Sequence, residues 1–342
     1  MASQAEDEFF VPKSTIGGYG ELHYNYKLKE GADEAARQLD FHRFIIFYSH
    51  AWTEKWSFKS EVELEHNFVK DGQGELELEQ AYINYRSCEA FNIQAGVILP
   101  SVGLINERHE PPLFLSVERP DYSKYIIPTT WFGNGLSATG LYKGFEYKAA
   151  IMEGLDGSKI KNSSGIRSGR QKGFEANAEA LMYNGYVGYT GVTGLRTGLS
   201  YVYNNAYVDD STESIPVNLL AVHAKYQGNN IHAVFELGDV FYGSGELESS
   251  FGYYFDLGYN VGYLFGLNAE IIPWLRWSDY NTASTTISGG DSEKANHHSK
   301  WMIGLALKPI SQVVFKVDYG IDEVELDSKK TYLFNIGAGY MF

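Results

Sequence analysis

The stretch that decides the fold is residues 55–69, Lys-Trp-Ser-Phe-Lys-Ser-Glu-Val-Glu-Leu-Glu-His-Asn-Phe-Val. One parity carries Trp56, Phe58, Val62, Leu64 and Phe68, and the other carries Lys59, Glu61, Glu63, Glu65 and Asn67. Because successive side chains of a strand point to opposite faces, this alternation predicts a β-strand with one oily and one ionic face. A helix would scatter both sets around its 3.6-residue turn.

The same alternation recurs along the 342 residues and predicts about sixteen strands. They cover approximately residues 14–27, 38–52, 55–69, 74–87, 90–100, 132–143, 144–154, 173–184, 194–206, 215–228, 230–243, 249–263, 266–280, 299–309, 311–323 and 329–342. Short connections alternate with longer ones, the longest being 101–131. Strands of 10–15 residues joined in this way are typical of a transmembrane up-and-down antiparallel β-barrel, since a spanning strand needs about 9–11 residues.

Composition excludes several other classes of protein. The formal net charge of −15 makes nucleic acid an improbable partner, because phosphate binding needs a basic surface. A single cysteine excludes an intramolecular disulfide and a cysteine-built zinc site. The mean hydropathy is −0.28 and no run of 18 apolar residues occurs, which argues against transmembrane helices. The remaining alternative is a soluble β-sandwich with aromatic cross-strand pairs, which would need more strands and a mostly apolar inner face.

Aromatic residues cluster near the ends of the predicted strands, as expected for girdles at the two membrane–water boundaries. The clusters are Trp52 and Trp56, Trp131 and Phe132, Tyr201 and Tyr203, Tyr253 and Tyr254, Trp274 and Trp277, and Tyr340 and Phe342. We therefore predict one barrel domain over residues 14–342, preceded by a flexible periplasmic segment over residues 1–13. The first residues lack a signal peptide, so placement in a bacterial outer membrane requires that such a peptide has been removed.

Four stretches resemble the phosphate-selective porin O and P family. They are Ile16-Gly-Gly-Tyr-Gly-Glu-Leu-His-Tyr24, Ser60-Glu-Val-Glu-Leu-Glu-His66, Gly103-Leu-Ile-Asn-Glu-Arg-His-Glu-Pro-Pro112 and residues 304–319. The resemblance implies a sixteen-stranded barrel, commonly a homotrimer, with a long third loop folded into the lumen. The terminal Tyr340 and Phe342 resemble the aromatic signal that the barrel-assembly machinery reads.

The 101–131 connection is the predicted constriction of the channel, because its apolar stretches favour packing inside the barrel over a wholly solvated loop. An outward loop that covers the rim or a neighbouring subunit is the alternative. The candidate constriction residues are Glu107, Arg108, His109, Glu110, Glu118, Arg119, Asp121 and Lys124.

Parity places a second set of charged residues on the lumen wall, because the same groups would cost about 2–4 kcal/mol each near the middle of a bilayer. This set comprises Arg43, Lys59, Glu61, Glu63, Glu65, Glu77, Glu79, Arg86, Lys316 and Asp318. Glu75 belongs with Glu77 and Glu79, although a bulge at Gln80–Ala81 would shift the register of that strand.

These residues predict an outer-membrane porin for passive diffusion of small hydrophilic solutes and ions. Few arginines and a Glu-rich wall argue against a phosphate-binding ladder and favour a general or weakly cation-preferring pore. A substrate-specific anion channel of the phosphate type is the alternative. An enzyme is disfavoured because the chain has no Gly-x-Ser-x-Gly elbow and no His-Glu-x-x-His motif. A plugged structural or adhesion barrel is a further alternative. We predict no cofactor and no metal site, although His109 lies beside Glu107 and Glu110.

Overall fold

The computed structural model describes residues 10–70, 73–208 and 213–342. Residues 1–9 of the segment predicted to be flexible lie outside this range, and the first strand begins at Lys13. Among the described residues, no helix is long and apolar enough to cross a bilayer.

Sixteen antiparallel strands run in sequence order and close into a barrel where β1 pairs with β16. The strands are β1 Lys13–Lys29, β2 Ala36–Ala51, β3 Trp56–Lys70, β4 Gln73–Cys88, β5 Phe91–Ile98, β6 Gly133–Tyr142, β7 Phe145–Met152, β8 Met182–Tyr189, β9 Leu195–Tyr207, β10 Ser214–Gly228, β11 Ile231–Tyr242, β12 Leu247–Tyr259, β13 Glu270–Thr286, β14 His297–Ile310, β15 Val313–Val324 and β16 Lys330–Met341. Two short helices, α1 Tyr122–Tyr125 and α2 Asp291–Ala295, lie in connections. Within the described residues, closure gives every strand a hydrogen-bonded neighbour on both sides, as a membrane requires.

The barrel carries apolar side chains on its outer face and charged side chains on much of its inner face, which confirms the fold class predicted from alternation. On β3, Val62 is 37% exposed on the outer face, whereas Glu61 and Glu63 are 2% and 3% exposed on the inner face. Large apolar side chains cover the outside of the barrel in the same way along most strands. Such a surface suits lipid, because charges that face the lumen avoid hydrocarbon.

The predicted bounds of one strand are wrong. The eighth strand was predicted over 173–184 but spans Met182–Tyr189, because residues 173–181 belong to a loop. Lys172 and Glu175 there adopt left-handed backbone conformations, and the Asn177 side chain accepts a hydrogen bond from the Glu179 amide. Turn chemistry of this kind outweighs a weak alternation.

Several of the predicted girdle aromatics lie inside the molecule instead. Trp131, Phe132 and Trp274 are almost fully buried, because the first two close the long third loop and Trp274 faces the lumen. Trp52, Trp56 and Trp301 are exposed on the outer face, where amphipathic rings are expected.

The inner wall is ionic on one side of the barrel and apolar on the other. Val202, Val217, Leu219 and Val240 point inward from β9, β10 and β11 and are fully buried. They form one apolar cluster with residues of two loops that fold into the lumen. The charged inner wall lies mainly on β1–β4 and β13–β16, so any aqueous path is displaced toward that side.

Replacing Ile303 with lysine should lower the free energy of unfolding by about 2–4 kcal/mol, because Ile303 faces outward near the middle of β14. Urea titration in phospholipid vesicles measures this loss. The matched control is Ile310→Lys at the end of the same strand, which should cost only about 0–1 kcal/mol. Equal losses at the two positions would contradict the assignment of this face to lipid.

Candidate pore constriction

The third loop, residues 99–132, folds into the barrel and contacts the inner wall on several sides. Tyr122 of α1, Ile126 and Ile127 are buried against β11 and β12. The wall residue at this contact is Gly238. A Cβ atom there would lie 2.7 Å from the Tyr122 hydroxyl oxygen, which is too close for a side chain. The small wall residue therefore allows the loop to approach the strands closely.

Charged wall residues hold the backbone of this loop in place. Asp318 accepts a hydrogen bond from the Val117 amide at 2.7 Å, and Glu236 accepts one from the Leu104 amide at 3.1 Å. Lys308 donates to the Pro112 carbonyl at 2.7 Å. Because these contacts come from β15, β11 and β14, the loop is fixed across the lumen rather than at one edge.

The predicted constriction residues are divided among several partners. Glu118 pairs with His23 at 2.9 Å, Asp121 pairs with Lys300, and Glu107 pairs with Lys148 at 3.0 Å. The Arg119 guanidinium lies 3.5 Å from the His109 carbonyl oxygen. The remaining three differ in exposure: Arg108 and Lys124 are exposed, and Glu110 is half-buried.

The predicted wall residues near the middle of the lumen form one network. Arg43 on β2 pairs with Glu21 on β1 at 2.8 Å and with Glu63 on β3 at 3.3 Å. His109 reaches from the loop to Glu61 and Glu79.

Other predicted wall residues lie outside this network. The Lys316 ammonium lies over the Phe114 ring, 3.7 Å from its centroid. Lys59 and Arg86 are exposed and belong neither to the central network nor to the Lys316–Phe114 contact.

A bulge lies in β4, close to the position suspected from the sequence. Glu61 pairs with Gln80 and Val62 pairs with Leu78, so Glu79 is the extra residue. Glu79 therefore faces the lumen together with Gln80, and the lumen parity passes to Tyr82 and Asn84 beyond the bulge. The bulge brings the Glu79 carboxyl next to Glu61 and His109.

The loop between β7 and β8, residues 153–181, also enters the lumen, and sequence reasoning missed its contribution. We call it the β7–β8 loop. Arg170 donates hydrogen bonds to the carbonyls of Thr129 and Thr130 at 2.7 and 2.8 Å, and Arg167 donates to the Lys124 carbonyl at 3.2 Å. The β7–β8 loop thus supports the third loop. Its signal in the sequence is three basic residues within six positions, Arg167, Arg170 and Lys172, in a long connection.

The β7–β8 loop places basic groups opposite the acidic wall. Lys172 donates to Glu75 at 2.7 Å and also contacts Glu77. Burial alone would lower the pKa of Lys172, but hydrogen bonds to these two carboxylates raise it. Burial and the neighbouring Arg167 lower the pKa of Arg170 to about 10, so both groups are positively charged at neutral pH.

These loops and strands enclose a polar vestibule of about 590 Å³ between the ionic wall and the third loop. Nine lysine and arginine residues and seven aspartate and glutamate residues line it, although the whole chain is strongly acidic. The opposed charges create a transverse field across the vestibule, as in channels that orient hydrated solutes. Neither sign of charge dominates the lining.

A closed sixteen-strand barrel with an apolar exterior and long loops folded into its lumen defines the porin class. The chain belongs to the phosphate-selective porin O and P family, which matches residues 16–271. It is therefore an outer-membrane channel for passive diffusion, and the family and fold point to a channel rather than to an enzyme.

Comparison with known proteins agrees with this fold. An uncharacterised protein of Aquifex aeolicus is 29% identical over 351 residues, covering 96% of this chain and 80% of the relative. The anion-selective porin of Comamonas acidovorans superimposes with a TM-score of 0.67 at 11% identity, covering 97% of this chain and 100% of that one. OmpF of Salmonella typhi, in complex with daunomycin, gives 0.67 at 13% identity, with 96% and 98% covered. At these identities the two structures are similar to the chain in fold alone.

Proposed function

We propose that the third loop, supported by the β7–β8 loop, forms the constriction of a general diffusion channel for small hydrophilic solutes and ions. The observation that carries this proposal is the vestibule, whose opposed acidic and basic groups lie beside the third loop. A field of both signs orients dipolar solutes but gives little preference for one sign of charge. We propose that the channel carries out transport without catalysis.

A second candidate is an anion channel of the phosphate type, and the basic side chains of the two loops favour it. Arg119, Lys124, Arg167 and Arg170 all line the vestibule. Phosphate recognition uses groups of this type with free donors. Arg167 and Arg170 already donate to backbone carbonyls, however, and Lys172 is neutralised by two glutamates. These contacts favour the general channel.

Planar-bilayer recordings of the purified protein distinguish the two candidates. We expect conductance that rises linearly with KCl concentration, a reversal potential close to zero in a KCl gradient, and no block of chloride current by phosphate. A conductance that saturates, together with block by phosphate, would support the anion channel. Folded protein that forms no channel would contradict both candidates.

We further propose that the protein assembles as a homotrimer in a bacterial outer membrane, with its outer face against lipid. The strands β5, β7 and β8 have only eight residues each, whereas a strand needs about 9–11 residues to span a bilayer. This low part of the wall fits a contact between subunits better than a contact with lipid. OmpT of Vibrio cholerae, which has a similar fold, is described in a trimer form. We assign Tyr340 and Phe342 to recognition by the assembly machinery.

A further inference from the structure

Three buried side chains converge where the third loop meets the bulge of β4. The His109 Nε2 atom lies 3.4 Å from Glu61 Oε1 and 3.5 Å from Glu79 Oε2. The ligand-type atoms of all three residues lie within 4.8 Å of one another. Glu79 is 0% exposed and His109 is 3% exposed. Neither Glu79 oxygen has a hydrogen-bond partner among the described residues, and nor does Glu61 Oε1.

Neighbouring groups orient two of these side chains. The His109 Nδ1 atom lies 3.1 Å from the Asn106 carbonyl oxygen, so Nδ1 carries a proton and donates it. The Nε2 atom is left to face the carboxylates. Gln80 donates to Glu61 Oε2, which leaves Oε1 directed at His109. Outer contacts of this kind, a carbonyl behind a histidine and an amide behind a carboxylate, orient the ligands of protein metal sites.

The distances fit a cation at the centre of the three groups. Zinc bonds to histidine nitrogen and carboxylate oxygen are about 2.0–2.2 Å long, so neighbouring ligand atoms in a tetrahedral site lie about 3.4 Å apart. We propose that His109, Glu61 and Glu79 bind a divalent transition-metal ion of the zinc type, which fastens the third loop to β3 and β4. One imidazole and two carboxylates suit such an ion, and a tetrahedral zinc site would take one further ligand.

The competing occupant of this space is a proton on His109. Burial and the charge of Arg119 lower the pKa of the imidazole, but the neighbouring carboxylates of Glu61 and Glu79 raise it overall to about 10. A protonated imidazole would draw a carboxylate in to about 2.7–2.9 Å. Both observed separations are longer than this. Glu61 and Glu79 together carry two negative charges, whereas those of Glu21 and Glu63 are balanced by Arg43 and Arg119, so a doubly charged cation matches the two ligand carboxylates better than one proton.

Metal binding by the folded full-length chain in detergent tests the proposal. After dialysis against chelator, wild type, His109→Gln, Glu79→Gln and His223→Gln are titrated with Zn²⁺, and bound zinc is counted by mass spectrometry. His223 is also a buried lumen histidine, on β10, but lies outside the cluster. We expect His109→Gln and Glu79→Gln to lose about one equivalent of zinc relative to wild type. His223→Gln should retain it.

Two further variants keep the proposal testable if a ligand variant folds poorly. Gln80→Leu retains all three ligands and should weaken zinc binding by about 10–100-fold. His109→Cys supplies a thiolate, and its Co²⁺ complex should show a sulfur-to-cobalt charge-transfer band that wild type lacks. Equal zinc in all four titrated proteins, or no zinc in wild type, would overturn the proposal. Neither result would affect the assignment of the protein as a channel, which conductance tests separately.

Discussion

Replacing Arg276 with methionine should lower the free energy of unfolding by about 3–5 kcal/mol, because it leaves the Asp256 carboxylate buried without its partner. The Arg276 Nε and Nη2 atoms each lie 2.6 Å from an oxygen of Asp256. The two side chains are 1% and 3% exposed, respectively. The guanidinium also lies over the rings of Tyr254 and Trp274. Urea unfolding followed by tryptophan fluorescence measures the loss.

A half-exposed pair of the same type provides the control. Arg196 forms a forked pair with Glu146 at 2.5 and 3.0 Å, but solvent reaches both side chains. Arg196→Met should therefore cost only about 0–1 kcal/mol. The double variant Asp256→Leu/Arg276→Met should recover much of the loss, because the buried pair is then replaced by apolar groups. A loss below about 1 kcal/mol in Arg276→Met would show that Asp256 is solvated from the vestibule.

Alternation in the sequence identifies the outer face of the barrel because that face has one consistent chemistry. Most outward-facing positions are apolar or aromatic, with exceptions such as Asp239 on β11, so Val62 on β3 and Ile303 on β14 could be assigned from parity alone. The inner face has no single chemistry. Val202 and Leu219 point inward although they are as apolar as the outer face, since two loops rather than water cover them.

The site was predictable in its parts but not in its assembly. The apolar content of the third loop predicts that it folds inward, and the Glu-rich strands predict an ionic wall. The role of Arg170 depends on two carbonyls that are about 40 positions away in the chain, which no local pattern encodes. The position of Glu79 beside His109 depends on a one-residue bulge, and a shift of one residue exchanges the faces of a strand.

Replacing Glu75 and Glu77 together with glutamine should shift the preference of the channel toward anions by about tenfold. A unit charge about 6 Å from a permeating ion contributes about 0.7 kcal/mol in water and about 0.4 kcal/mol after screening at 0.1 M salt. It therefore changes the local concentrations of cation and anion about twofold each, in opposite directions, and their ratio about threefold to fourfold. Both carboxylates line the vestibule, and their loss leaves Lys172 unpaired there. Reversal potentials in a KCl gradient report the change in permeability ratio.

Two controls separate this field effect from a change in pore structure. Lys172→Gln should move the reversal potential in the opposite direction, by about threefold in permeability ratio, because it uncovers the same two carboxylates. Glu89→Gln removes an exposed carboxylate in the turn between β4 and β5, outside the vestibule, and should leave the ratio unchanged. Both shifts should shrink at about 1 M salt, where the screening length falls to about 3 Å. Unchanged reversal potentials in Glu75→Gln/Glu77→Gln would mean that ions pass elsewhere, and the vestibule would then not be the permeation path.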